Sequence, residues 1–230
     1  HLTGKLRDGV SAMDAALAFA QMLRAKGVVG KFVECFGDGV ATLSATQRAC
    51  IANMTPEYGC TCTLFPVDDR TLEYLLLTGR DKEQVALVEA YAKAQGMWND
   101  GASRVYSEVL ELNLSEVECS LAGPSRPHDR FARNDARSRF NAICADRNLD
   151  MDKRVAVSFM GTEYELTHGA IAIAAVTSCT TATDPAMMLA CGLVAKHARE
   201  RGLLAKPWVK RVMAPGSHAT QLMLERAGLA

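Results

Sequence analysis

Cys179 ends a nearly unbroken apolar run, Ala170-Ile171-Ala172-Ile173-Ala174-Ala175-Val176-Thr177-Ser178-Cys179, and the polar turn Thr180-Thr181-Ala182-Thr183-Asp184-Pro185 follows at once. A β-branched and Ala-rich run bounded by turn residues reads as a strand covered on both faces, the habit of parallel sheets in α/β proteins. Ligand sites in such sheets lie just beyond the carboxyl ends of the strands. Asp184 suits an N-cap and Pro185 the first helical position, which predicts a helix running to about Arg199 and closing near Gly202. Free N–H groups at such a helix start stabilise an anion or a thiolate beside them. A thiolate at the mouth of a ligand crevice is the chemistry offered. The competing reading is a small buried hydrophobe, since free Cys is among the most buried residue types, and spacing alone leaves the two open.

The other seven cysteines (35, 50, 60, 62, 119, 144 and 191) are scattered through 230 residues, without the density of a small disulfide scaffold, which favours a reducing, cytoplasmic setting. Cys60-Thr61-Cys62 is the one close pair. Core packing is expected there rather than shared metal ligation. With 26 basic and 26 acidic side chains the chain has no electrostatic footprint for nucleic acid or a membrane surface. No apolar run reaches the length of a membrane span, and the opening residues carry no signal-peptide core. The start lacks Met, and the chain is expected to be a piece of a longer polypeptide.

The elements that must position these groups alternate. Ser11-Ala12-Met13-Asp14 has the form of a capping box, followed by a helix stopped at Gly27. Val28 to Phe36 reads as a strand, Gly37-Asp38-Gly39 as a turn, and Ala45 to Met54 as a helix capped by Ser44 and halted before Pro56. Cys62 to Val67 is the next predicted strand, then helices over about Asp69 to Leu77 and Asp81 to Gln95. Val105 to Leu114 reads as extended, Gly123 to Arg130 as a proline-stiffened loop, and Arg130 to Lys153 as an exposed helix with a connector. Arg154 to Phe159 and Thr162 to Leu166 are predicted strands around Met160-Gly161. After the strand that ends at Cys179 and its helix, Lys206 to Met213 reads as a strand and Ser217 leads into a last helix. This rhythm predicts the α/β class, with mostly parallel sheets and two domains over 1–110 and 111–230.

Several stretches, in order along the chain, resemble the aconitase family in its bacterial aconitase A and iron regulatory protein branch. They are Gly27-Val28-Val29-Gly30-Lys31-Phe32-Val33-Glu34, Ile51-Ala52-Asn53-Met54-Thr55-Pro56-Glu57-Tyr58-Gly59, Phe65-Pro66-Val67-Asp68, Leu77-Thr78-Gly79-Arg80-Asp81, Ser178-Cys179-Thr180 and Ala214-Pro215-Gly216-Ser217. The likeness implies the family's second domain and the first, truncated part of its third. It implies a hydro-lyase that interconverts citrate and isocitrate through cis-aconitate at a [4Fe–4S] cluster, in which three thiolates hold the cluster and one iron acts on the substrate as a Lewis acid. Cys179 matches the first cluster cysteine. Asn53 and Glu57 match positions near the cluster, the Asn bonding to the cluster region and the carboxylate lying close to the labile iron's water. By residue habit alone, Asn53 is a helix-end cap and Glu57 a solvated turn charge. The other cluster thiols, the serine base, the substrate-clamping arginines and the Asp/His pairs match nothing in this chain. The implied partners are a tricarboxylate substrate and the remaining domains of the same polypeptide.

The family usually has Ser-Cys-Thr-Asn-Thr-Ser-Asn-Pro where this chain reads Ser178 to Pro185, so Thr181 and Asp184 are departures, as are Cys35, Cys60 and Cys62. Such changes bear on substrate identity more than on fold, and keep 2-methylisocitrate dehydratase and other tricarboxylate hydratases as neighbouring readings. An RNA-binding iron regulatory form is the alternative of another class. The arginines at 126, 130, 133, 137 and 139 suit it, but Asp129 and Asp135 lie among them and stacking aromatics are nearly missing, so a solvated connector is expected and no nucleic-acid partner. His168 reads as a turn residue and His218 as a surface residue at a helix start.

Overall fold

A computed structural model describes residues 1–101, 104–177 and 183–229, and the chain separates into two compact units, His1–Ala132 and Arg133–Ala230. The first unit runs β1 (Leu2–Thr3), α1 (Ala12–Lys26), β2 (Phe32–Glu34), α2 (Asp38–Ala41), α3 (Ala45–Asn53), α4 (Thr55–Tyr58), β3 (Cys62–Leu64), α5 (Asp69–Leu77), α6 (Lys82–Ala94), β4 (Leu112–Asn113), β5 (Ser120–Ala122) and β6 (Arg130–Ala132). β1 pairs with β4 and β2 with β3 in parallel, whereas β5 and β6 form an antiparallel hairpin.

The capping box at Ser11 is formed: Ser11 N–H donates to Asp14 Oδ2 at 2.7 Å and Asp14 N–H to Ser11 Oγ at 3.2 Å. Gly27, at φ 77°, takes the left-handed conformation that ends α1 without steric cost. The apolar residues Ala15, Ala16, Phe19, Ala20 and Leu23 make the buried face, joined in one core by Val40, Leu43, Ile51, Met54 and Tyr58. Small residues let α3 and α4 approach α1 closely, and the apolar area removed from water supplies the main driving force.

Segment 111–132 runs alongside the first residues of the chain at a near-constant offset. Lys5 N–H donates to Ser115 Oγ, Arg7 Nη2 to the Val117 carbonyl, Ser120 N–H to Asp14 Oδ1 and Gln21 Nε2 to the Arg130 carbonyl, pairs 106 to 110 residues apart. These bonds place 111–132 in the first unit.

Three extended segments are shorter than expected. Val28 to Lys31 folds into a turn, Lys31 N–H donating to the Val28 carbonyl at 3.0 Å, and only Phe32–Glu34 meets β3. β3 stops at Leu64, two residues before Pro66, which has no N–H for a ladder. Of the stretch 105–114 only Leu112–Asn113 finds a strand partner, β1. The expected turn at Gly37-Asp38-Gly39 instead opens the single helical turn α2, where Gly39 packs on the Leu2 backbone: a Cβ there would lie 2.8 Å from the Leu2 carbonyl carbon.

One ion pair ties α2, α3 and α5 together. Arg48, 4% exposed, donates Nη1 to Asp68 Oδ1 at 2.8 Å and Nη2 to Asp68 Oδ2 at 2.7 Å. Its Nε reaches the Leu43 carbonyl and Nη2 the Val40 carbonyl. Asp68 Oδ1 also accepts the Arg70 and Thr71 N–H groups, capping α5.

The second unit holds α7 (Ala136–Asp146), β7 (Arg154–Phe159), β8 (Thr162–Thr167), β9 (Ile173–Thr177), α8 (Pro185–Glu200), β10 (Lys210–Ala214) and α9 (His218–Arg226). β7 and β8 form a hairpin whose two turn residues, Met160 (φ 50°) and Gly161 (φ 77°), both sit in the left-handed region that suits a two-residue loop to strand twist. β9 and β10 pair in parallel, Ile173 opposite Lys210 through Thr177 opposite Ala214. The expected burial of β9 on both faces is not met among the described residues of this unit: Ile173, Ala174, Ala175 and Thr177 are exposed, and β10 is the strand that pairs with β9.

Removing Arg48 leaves Asp68 as an uncompensated buried charge, so Arg48→Ala should destabilise the first unit by about 3–5 kcal/mol, and Arg48→Lys should not restore the loss because an ammonium lacks the planar fork. Urea-induced loss of helical circular dichroism checks both. A second expectation concerns Cys35, buried in the core, whose thiol is pushed from its ordinary 9.0 to about 12, chiefly by burial. The unfolded chain ionises this thiol from about pH 9 while the folded chain keeps the proton to about pH 12, so its stabilising contribution is complete below that window and lost across it. Between pH 8 and pH 10 the unfolding midpoint of the parent should therefore fall further than that of Cys35→Ala.

Candidate functional site

Asn53 and Glu57 stand on one corner of the first unit, where α3 gives way to α4. Asn53 is the last residue of α3 and is exposed; Met54, buried, is the hinge between the helices. Pro56 lies in the first turn of α4, where a missing N–H costs nothing, rather than ending the structure as expected. Gly59, at φ 84°, closes α4, its N–H donating to the Thr55 carbonyl at 2.8 Å. A Cβ at Gly59 would lie 3.2 Å from Arg24 Nη1, so the corner also presses against α1.

Three hydroxyls hold this corner to β3. Tyr58, fully buried, has its OH 2.6 Å from Thr63 Oγ1. Thr55 Oγ1 is 2.9 Å from Thr63 Oγ1 and donates to the Ala52 carbonyl at 2.6 Å. Burial pushes the Tyr58 phenol upward, against the pull of its bonds to Thr55 and Thr63. Cys60 Sγ donates to the Cys62 carbonyl at 3.2 Å and lies in the core, while Cys62 opens β3 half-exposed. The pair thus splits between core and edge, because Cys60 precedes β3 and only Cys62 lies on it.

With the corner fixed, Glu57 lines a cavity of about 450 Å³ together with Arg24, Pro56, Arg126, Pro127 and His128. Glu57 Oε2 is buried and has no hydrogen-bond partner in this structure, and the same holds for His128 Nδ1. A buried carboxylate oxygen left without a donor costs about 1–3 kcal/mol or more. Arg24, Arg126 and His128 escape a reading by residue pattern because they come from α1 and from the β5–β6 loop, and only the fold brings them to α4.

Cys179 lies outside the described residues, with Ser178 and Thr180 to Ala182. Downstream of it, Asp184 Oδ1 accepts the Ala186 N–H at 3.2 Å as the N-cap of α8, and burial pushes its carboxyl pKa up against that bond. His168 is half-buried beside the β8 end, and His218 is exposed as the first residue of α9. Among the described residues no three or more His, Cys, Asp or Glu side chains gather as a metal site, and no helix is long and apolar enough to cross a membrane.

A model of the aconitase family (aconitate hydratase) matches residues 1–230. Aconitate hydratase A of Legionella pneumophila is 49% identical over 230 residues, covering 99% of this chain and 26% of the relative. The protein of the same name from Escherichia coli is 50% identical over 232 residues, again covering 99% of this chain and 26% of the relative. The chain therefore spans about a quarter of the length of these curated relatives.

The hydroxyl network sets a test of the corner. Thr63→Val removes the shortest bond of the Tyr58 hydroxyl, leaving it the longer contacts to Thr55 Oγ1 at 3.3 Å and the Ile51 carbonyl at 3.4 Å, and should cost about 0.5–1.5 kcal/mol, while Thr63→Ser, which keeps the oxygen, should cost less. Backbone hydrogen exchange over residues 54–59 should speed up in the valine variant and stay near the parent rate in the serine variant.

Proposed function

This chain belongs to the aconitase family, and from that premise we propose that it is a segment of a [4Fe–4S]-dependent hydro-lyase that isomerises citrate to isocitrate via cis-aconitate. Identity near one half across 99% of the chain carries this reading. The unpartnered Glu57 Oε2 supports it, because a buried acceptor is what such chemistry needs near a substrate hydroxyl. In the proposal residues 1–110 correspond to the family's second domain and 111–230 to the opening part of its third, with the remaining domains and a cytoplasmic setting belonging to the whole protein.

The described residues do not by themselves fit an iron–sulfur cluster, since no group of three ligating side chains gathers among them. The proposal assigns Cys179 as one thiolate ligand, the others coming from parts of the protein outside this chain. When bound, the cluster supplies Lewis acidity to the substrate's hydroxyl and carboxylate. This chain's own residues orient and accept. Glu57, on a corner locked by Tyr58, Thr55 and Thr63, offers a carboxylate oxygen to a hydroxyl or a water; Asn53 offers an amide from the same corner.

In the full-length protein, Cys179→Ser should remove the brown cluster absorbance and the turnover together, because a hard, poorly ionised hydroxyl leaves the cluster under-ligated. Glu57→Gln should keep the absorbance and lower kcat by about 10²-fold or more, the range for a group that moves or holds a proton at the reacting atom. The 230-residue chain alone should show neither chromophore nor hydratase activity after reconstitution with iron and sulfide. Retention of cluster and turnover in Cys179→Ser sinks the assignment.

A further inference from the structure

A cavity of about 430 Å³ in the first unit is closed at one end by His1 and Leu2, where β1 starts. Its floor is Phe19, Met22 and Leu23 of α1; one wall is the stretch from Phe32 to Phe36 that holds β2, and the other is Tyr106 to Leu110. At its closed end the strand β1 is bonded on both sides. The His1 amino group donates to the Leu110 carbonyl at 2.7 Å and Leu112 N–H to the His1 carbonyl at 2.9 Å, while Leu2 N–H donates to the Phe36 carbonyl at 2.7 Å. Walls that hold one strand between them stand about 10 Å apart, twice the spacing of paired strands.

Both walls turn backbone groups toward this slot. Cys35 N–H donates to the Leu64 carbonyl and the Lys31 carbonyl accepts the Thr61 N–H, so the odd-numbered residues of this stretch bond toward β3. By the alternation of a parallel ladder, Phe32, Glu34 and Phe36 face the opposite way, the side on which Phe36 already meets Leu2. On the other wall Leu110 and Leu112 face β1, and the same alternation sets Glu108 with them. Side chains alternate as well. Leu2, 2% exposed, packs in the core with Leu110 and Leu112 against it, whereas His1 takes the other face and stacks on Phe36 with ring centroids 5.1 Å apart. Two edges of evenly spaced donors and acceptors, facing one another over an apolar floor, call for an extended backbone in parallel register, which a compact ligand cannot supply.

We propose that the residues running into His1 in the full-length protein lengthen β1 backward through this slot, joining β3, β2 and the 108–112 segment into one parallel sheet. The inference rests on the reading given above only in that the chain is a segment of a longer polypeptide. The occupant is that segment and not a second copy, because it is attached to β1 already in register and competes at the high effective concentration of a short tether. The register follows from Leu2 opposite Leu112. The first residue before His1 stands opposite Leu110 and bonds the Phe36 N–H and the Glu34 carbonyl; the second accepts the Leu110 N–H and donates to the Glu108 carbonyl. The first and third share the inward face of Leu2 and are apolar.

Residue-resolved hydrogen exchange of the full-length protein tests this without any substitution. The N–H groups of Glu34, Phe36 and Leu110 should exchange about 10²-fold or more slower than open amides, as ladder donors that open only with their sheet do. Fast exchange at these three positions overturns the proposal. A cross-link then identifies the occupant. Cysteine at the first residue before His1, combined with Leu110→Cys, sets two opposed Cα atoms about 4.8 Å apart, inside the disulfide range, and mild oxidation should yield the bonded peptide pair by mass spectrometry. Cysteine at the second residue before His1 points to the other face and should give little bond with Leu110→Cys. Protected amides without the first cross-link, or equal yields from both placements, overturn the proposal and leave the slot to a second copy or another segment. Should the Leu110→Cys pair fail to fold, cysteine at the third residue before His1 with Glu108→Cys decides by the same criterion. A full-length protein that passes both measurements but lacks cluster and turnover keeps this inference while the hydro-lyase reading fails.

Discussion

The bidentate contact between Arg48 and Asp68 is the constraint on which the first unit depends. Each charge would be costly in the core alone, yet every bond they make organises a different element: Arg48 gathers the carbonyls that end α2 and the turn before α3, and Asp68 starts α5. Because α3 carries Arg48 along its length, the helix that ends at Asn53 is fixed in rotation as well as in place. The candidate corner inherits that fixity. A network of this sort specifies one arrangement of its neighbours more than it adds net stability, since the same oxygens and nitrogens were fully bonded to water before folding.

From that base the chain of cause runs through Tyr58. Its ring fills the core and its hydroxyl bonds to β3, so α4 cannot roll about its axis without breaking both. Glu57, the residue before it, is aimed by that restriction into the cavity and not into the core. Rigidity of the aromatic neighbour is thus converted into direction for the carboxylate, which is how a scaffold makes an acidic side chain useful.

Much of this was legible in the residues themselves. Helix starts are written locally, in Ser11, Ser44, Asp184 and Ser217, each of which accepts the bond that its residue type suggests. The likeness around Asn53 and Glu57 falls on the corner where α3 gives way to α4. Strand lengths were not legible, because pairing depends on a partner: residues 105–111 have an extended pattern and no strand beside them among the described residues. Nor was the cavity. Arg126 reads as one of several solvated arginines, and only the packing of the β5–β6 loop against α1 brings it and His128 to Glu57. The apolar strand β9 is a third case, its sequence calling for cover on two faces that the described residues of its own unit do not provide.

The near-constant offset of 106 to 110 residues between the two edges of the first unit has a temporal meaning. During synthesis, α1 leaves the ribosome long before the segment that bonds to its leading edge, and the intervening residues take several seconds to emerge at about 5–20 residues per second. Throughout that interval Asp14 lacks the Ser120 N–H that it accepts in the finished unit. The unit closes like a clasp, last at its seam, and such non-local contacts are the slow step of folding because loop entropy is lost before they form. The seam is therefore where a nascent chain stays open longest, and where a chaperone or protease would meet it.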